Sequence, residues 1–132
     1  MMRWIYLDVE RIIEYNALAL EKLKVKKADR PEVMSRQKLV SAVDVCKSVN
    51  GSVYDKAAAF LIALIQAHAF ASGNRRTAFL ATKDFLLENN GKLAVQDDAK
   101  DARVLQGIRE GFYSRDDIKL WLSTGKIHEF KR

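Results

Sequence analysis

From Ala57 to Ile65 every residue is apolar, and Ala57, Phe60, Leu61, Leu64, Ile65 and His68 fall within one broad stripe of a helical wheel. A helix with so wide an apolar face has to be covered from more than one side, so it is predicted to stand at the centre of the fold. Its stripe ends in an imidazole, which holds His68 at the edge of the core. The short polar turn Ala71-Ser72-Gly73-Asn74-Arg75-Arg76 follows, then a second strongly apolar helix from about Arg76 to Asn89, with Ala78, Ala81, Phe85 and Leu86 on one side. Asn90-Gly91 is expected to close that helix at the left-handed cap position. Ser52, with Asp55 three residues on, makes a capping-box-like start for the first of the pair.

The rest of the chain is read around these two helices. A first helix is predicted from about Asp8 to Leu23, where Val9, Ile12, Ile13, Leu20 and Leu23 fall mostly on one face. Pro31, with its locked φ, suits the first turn of a second helix running to about Cys46, with Val33, Leu39, Val40 and Val43 as its apolar members. Later helices are predicted from about Asp97 to Arg109 and from Ser114, a cap paired with Asp117, to Ser123 before Gly125. The tail from about residue 126 is expected to fray. A single proline and six glycines argue against a loop-rich sandwich, the many Ala, Leu, Lys and Glu favour an all-α fold, and the one short β element allowed for lies near Lys92 to Val95. With 132 residues, no internal repeat and no linker, residues 1–132 are read as one domain, a compact bundle of about six helices around the central apolar pair.

Several function classes are disfavoured at once. The one cysteine, Cys46, has no partner for an internal disulfide or a zinc site, so it is read as a small buried residue in a chain suited to a reducing cytoplasm. The apolar run Ala57 to Ile65 is far shorter than the roughly 20 residues that span a bilayer. The start, MMRWIYLDVE, lacks the apolar stretch and cleavage site of a signal peptide, and a cytoplasmic location is expected. The net charge of +6 makes nucleotide, nucleic acid or an acidic protein plausible partners. The densest basic run, Lys22, Lys24, Lys26, Lys27 and Arg30, contains no aromatic residue on which a base could stack, and it reads first as a solvated helix end and linker.

The turn between the two apolar helices carries the chemistry. A helix end delivers His68, a glycine lets the backbone come close to a ligand, and the next helix begins with free N–H groups aimed into the same space. Arg75 and Arg76 stand where the helix macrodipole prefers acids, an arrangement that a negative ligand would offset. Phosphate fits, since arginine presents a planar fork of donors and backbone N–H groups add more.

This segment resembles the signature of the Fic/Doc superfamily, which runs His, any, Phe, any, Asp/Glu/Asn, Gly or Ala, Asn, Gly or Lys, Arg. His68, Phe70, Gly73, Asn74 and Arg76 match it. Arg75 stands where the Doc (death-on-curing) branch usually has Lys, and Thr77-Ala78 continues as Doc sequences do, so the Doc side is favoured. The similarity extends over Asp29-Arg30-Pro31 to Gly91, including Tyr54-Asp55-Lys56-Ala57-Ala58 and Phe85-Leu86-Leu87-Glu88-Asn89-Asn90-Gly91.

The resemblance implies a Doc-like toxin phosphotransferase that moves a phosphoryl group, or AMP, from ATP to a protein hydroxyl, with a translation factor as the expected substrate. His68 would be the general base, a task that suits an imidazole, which is largely neutral near pH 7. Gly73, Asn74, Arg75 and Arg76 would hold the phosphates, while Phe70 would anchor the turn in the core. ATP is the implied co-substrate and Mg²⁺ the implied metal. No internal inhibitory element is found, so a separate antitoxin protein is the expected restraint, and neither a membrane nor nucleic acid is required. Ser72 departs from the pattern, because the residue four after the histidine normally helps hold Mg²⁺, and a hydroxyl is a weak, neutral magnesium ligand. That departure sustains an alternative, a catalytically weakened protein of the same fold that binds a nucleotide or a partner. A third reading, a basic RNA-binding or RNA-cleaving toxin, rests on the charge alone.

Overall fold

The computed structural model describes residues 3–23, 31–95 and 99–131, the side chains of residues 22, 23, 99 and 100 excepted. The basic run from Lys22 to Arg30 therefore lies largely outside the described residues, as does the predicted start of the fifth helix at Asp97. Among the described residues there are six helices, α1 Val9–Leu23, α2 Arg36–Ser48, α3 Val53–Ala67, α4 Asn74–Glu88, α5 Ala99–Arg109 and α6 Arg115–Thr124, and no strand.

α3 is the central helix. It packs against α2, α4, α5 and α6, while α1 covers the far side of α4 and touches α2. Ala57, Phe60, Leu61, Leu64 and Ile65 are all buried on α3, and Ala78, Ala81, Phe85 and Leu86 meet them from α4. Phe60 and Phe85 join the two helices edge to face, with ring centroids 6.0 Å apart. Cys46 lies in the same core, and burial pushes its thiol up to about 12. Asp84 fastens α4 to α1, since its Oδ2 accepts from Arg11 Nε at 2.8 Å and from the Tyr15 hydroxyl at 2.6 Å. Lys56, almost fully buried, donates to the carbonyls of Cys46 and Lys47, each at 3.2 Å, beneath the rings of Trp4 and Tyr6.

Three details differ from the sequence-based expectations. The second helix starts at Arg36, capped by Ser35, and Pro31 stands outside it. The residues after Pro31 pair with the site turn instead. Met34 N and Ser35 N donate to Ala69 O at 2.8 and 3.2 Å, Ala71 N donates to Glu32 O at 3.0 Å, and Val33 makes an isolated antiparallel bridge with Phe70. Those bonds satisfy donors that a helix starting at Pro31 would have turned elsewhere. No strand forms at Lys92 to Val95, where Ala94 N donates to Leu122 O at 3.0 Å and Tyr54 binds the backbone of Lys92. As expected, Asn90-Gly91 closes α4, with Asn90 in the left-handed conformation at φ 62. The tail does not fray: Phe130 is buried, Tyr113 donates to His128 O at 2.8 Å, and Arg103 donates from Nε to Phe130 O at 3.2 Å. Burial of the Phe130 ring supplies the anchor that the tail's polar composition concealed.

Both capping boxes form, at Ser52 with Asp55 and at Ser114 with Asp117. Asp55 is held below the ordinary carboxylate range by its bond from Lys119 and by the Ser52 N–H, and Asp117 by the Ser114 N–H. Stability from a carboxyl lowered in this way is complete above about pH 4 and is lost as pH falls through the folded-state value. Asp55→Asn is therefore expected to destabilise the protein by about 1 kcal/mol at pH 7, an amount typical of a helix cap. Thermal melts of wild type and variant should converge as pH is lowered toward about 2.

Candidate anion site

α3 stops at Ala67 because His68 turns left-handed, at φ 49 and ψ 51. That conformation is uncommon away from glycine, and it swings the imidazole off the helix axis. Ala69 and Phe70 then run into the core, buried and braced by the bonds from Met34, Ser35 and Ala71. Asn74 completes the turn from the other side. Its Oδ1 accepts from Phe70 N at 3.0 Å and its Nδ2 donates to Phe70 O at 2.8 Å, so one side chain satisfies both backbone groups of a buried residue.

Gly73 is the N-cap of α4 at φ 76, and no side chain caps that helix. A Cβ on Gly73 would stand 3.1 Å from Leu20 Cδ2 and 3.3 Å from Asn16 Nδ2, so the turn needs glycine for both its space and its angle. Asn16, buried on α1, donates from Nδ2 to Ser72 O at 2.9 Å and to Thr77 Oγ1 at 3.1 Å. The turn is thus held from α1, from α4 and from the segment before α2.

Above it lies a cavity of about 810 Å³, lined on one side by His68, Ala71, Ser72, Gly73, Asn74, Arg75 and Arg76. α5 forms the opposite wall with Ala102, Arg103, Leu105, Gln106 and Arg109. The volume suits a small-molecule or cofactor ligand. The first turn of α4 contains Arg75 and Arg76 and no acid, so its positive helix end is reinforced. His68 is exposed to this space, and its Nδ1 lies 2.9 Å from Arg109 Nη1. A guanidinium only donates, so Nδ1 is the acceptor and the neutral ring carries its proton on Nε2.

The cavity brings together His68, Ser72, Gly73, Asn74, Arg75 and Arg76, while Phe70 is buried beneath it. Within that set Asn74 differs, because its polar atoms bind the Phe70 backbone. Ser72 offers a neutral hydroxyl, and among the described residues no group of three His, Cys, Asp or Glu side chains could hold a metal. No helix among the described residues is long and apolar enough to cross a membrane.

Sequence reasoning missed Asn16 and the α5 wall. Asn16 lies four residues from both Ile12 and Leu20, a polar break in an apolar face that could have marked it as a buried bond-maker. Arg109, basic and in the last turn of a helix, looks like an ordinary macrodipole partner.

The chain is thus a helical fold in which a histidine turn leads into an uncapped, arginine-bearing helix N-terminus. The Fic/DOC family model matches residues 6–86, more than half of the chain, and the protein belongs to that family. Its members are generally transferases. A comparison with curated proteins finds no match.

Proposed function

We propose that the protein transfers a phosphoryl or adenylyl group from ATP to the hydroxyl of a protein, in the cavity between the His68–Arg76 turn and α5. The observation that carries this reading is convergence, since the imidazole, the uncapped α4 terminus and the arginines share one cavity of about 810 Å³. The amides at the start of α4, with Arg75 and Arg76, bind the phosphates and stabilise charge as it develops. Asn74 serves by holding the turn in shape. His68 takes the hydroxyl proton at Nδ1 once Arg109 turns to the phosphates. The hydroxyl oxygen bonds to phosphorus, the bridging P–O bond breaks, and ADP leaves in phosphoryl transfer or pyrophosphate in adenylyl transfer.

The Doc-like version of this reading adds a cytoplasmic toxin role, a translation factor as substrate and a separate antitoxin. Incubation with a cell lysate and ATP labelled at the α or the γ position tests the chemistry. Label carried from γ alone marks phosphoryl transfer, and label from α marks AMP transfer. Absence of both, with an active relative working alongside, would favour the second reading, a nucleotide- or partner-binding protein whose chemistry is weakened by Ser72.

A further inference from the structure

The α5 wall of the cavity lies outside the segment that the family model matches. Two of its arginines reach the cavity, and the structure shows how each is held. Arg103 donates to Phe130 O and stacks over the Phe130 ring at 5.5 Å, so the docked tail fixes it beside α5. Arg109 reaches across to His68, using one of the five donors of its guanidinium for that bond. With Arg75 and Arg76 on the facing turn, four guanidinium groups line the cavity. Its described lining contains no Asp or Glu.

Electrostatics then sort the ligands. A dication entering this space meets the guanidinium groups of Arg75, Arg103 and Arg109 and finds no carboxylate among the described lining residues to replace its water. A polyphosphate carrying its full negative charge meets forked donors from two sides and a positive helix end below. When Mg²⁺ coordinates the same phosphates, it cancels two of their charges and occupies oxygens that the arginines would bind.

We infer that Arg103 and Arg109 supply the positive charge that a divalent cation would otherwise bring, and that the cavity takes a nucleoside polyphosphate in its metal-free form. The inference rests on the reading of this cavity as a polyphosphate site. Arg109 moves in the process from His68 Nδ1 to a phosphate oxygen, so that filling the cavity also releases the basic nitrogen of the ring.

Isothermal titration of the full chain with ATP, and separately with inorganic tripolyphosphate, tests it at constant ionic strength with EDTA or with excess Mg²⁺. Both ligands should bind in EDTA, and Mg²⁺ should weaken binding on the order of tenfold, or about 1.4 kcal/mol. Arg109→Gln, at an exposed position, should cost about tenfold in EDTA and much less with Mg²⁺ present. Ser72→Asp should shrink or reverse the preference for the metal-free ligand. Binding that requires Mg²⁺, or equal binding under both conditions, would overturn the inference and leave the polyphosphate site standing. Failure of both ligands to bind under either condition would remove the site reading along with it.

Discussion

His68→Asn is expected to lower group transfer by about 10²- to 10⁴-fold, the range lost when a positioned general base is removed. It should do so with little change in stability, for two structural reasons. The side chain is exposed to the cavity, so no packed volume is lost. The backbone at this position is left-handed, at φ 49, and asparagine tolerates that region better than alanine does. Alanine would add strain to the loss of the base and blur the two effects. Initial transfer rates from labelled ATP, measured beside a thermal melt, separate them. A rate within about threefold of wild type would show that the imidazole does not handle the proton, since general-base effects are far larger.

Asn74→Ala is expected to cost about 3 kcal/mol of folding stability. The estimate comes from the two bonds its side chain makes to the Phe70 backbone, at 3.0 and 2.8 Å. Each buried group left without a partner costs about 1–3 kcal/mol, and water reaching the turn reduces the sum. Urea unfolding should show a lower midpoint with an unchanged slope, because the surface exposed on unfolding is the same. Amide exchange at Phe70 should rise more than the global loss alone explains, because the bond that protects its N–H is the one removed. If Asn74 acted mainly as a phosphate ligand, the variant would lose nucleotide affinity and keep its stability.

These two residues also show how far the sequence could be read. The positions of His68, Gly73, Arg75 and Arg76 around one turn follow from the order of apolar helix, glycine turn and apolar helix, which local periodicity reveals. The buried faces of α3 and α4 follow for the same reason, and so do the caps at Ser52 and Ser114, whose bonds are local. What escaped was set by partners distant in the chain. Pro31 looked like a helix start because nothing nearby says that residues 32–35 bond to the turn near Phe70. The tail looked loose because Phe130 finds its cover on Phe112 and Arg103, and His128 its bond on Tyr113, all far back in the chain. Arg109 reaches His68 across a separation of 41 residues, which no pattern in either helix records.

The most direct test of the whole account is an amide titration by heteronuclear NMR, in which ATP is added to the uniformly labelled protein. The account predicts that the largest shifts map to the N–H groups of Gly73 to Arg76, to the His68 ring and to the Arg109 side chain, and that His68→Asn leaves the amide shifts in place. Shifts gathered on the basic segment between α1 and α2, with residues 73–76 unmoved, would contradict it.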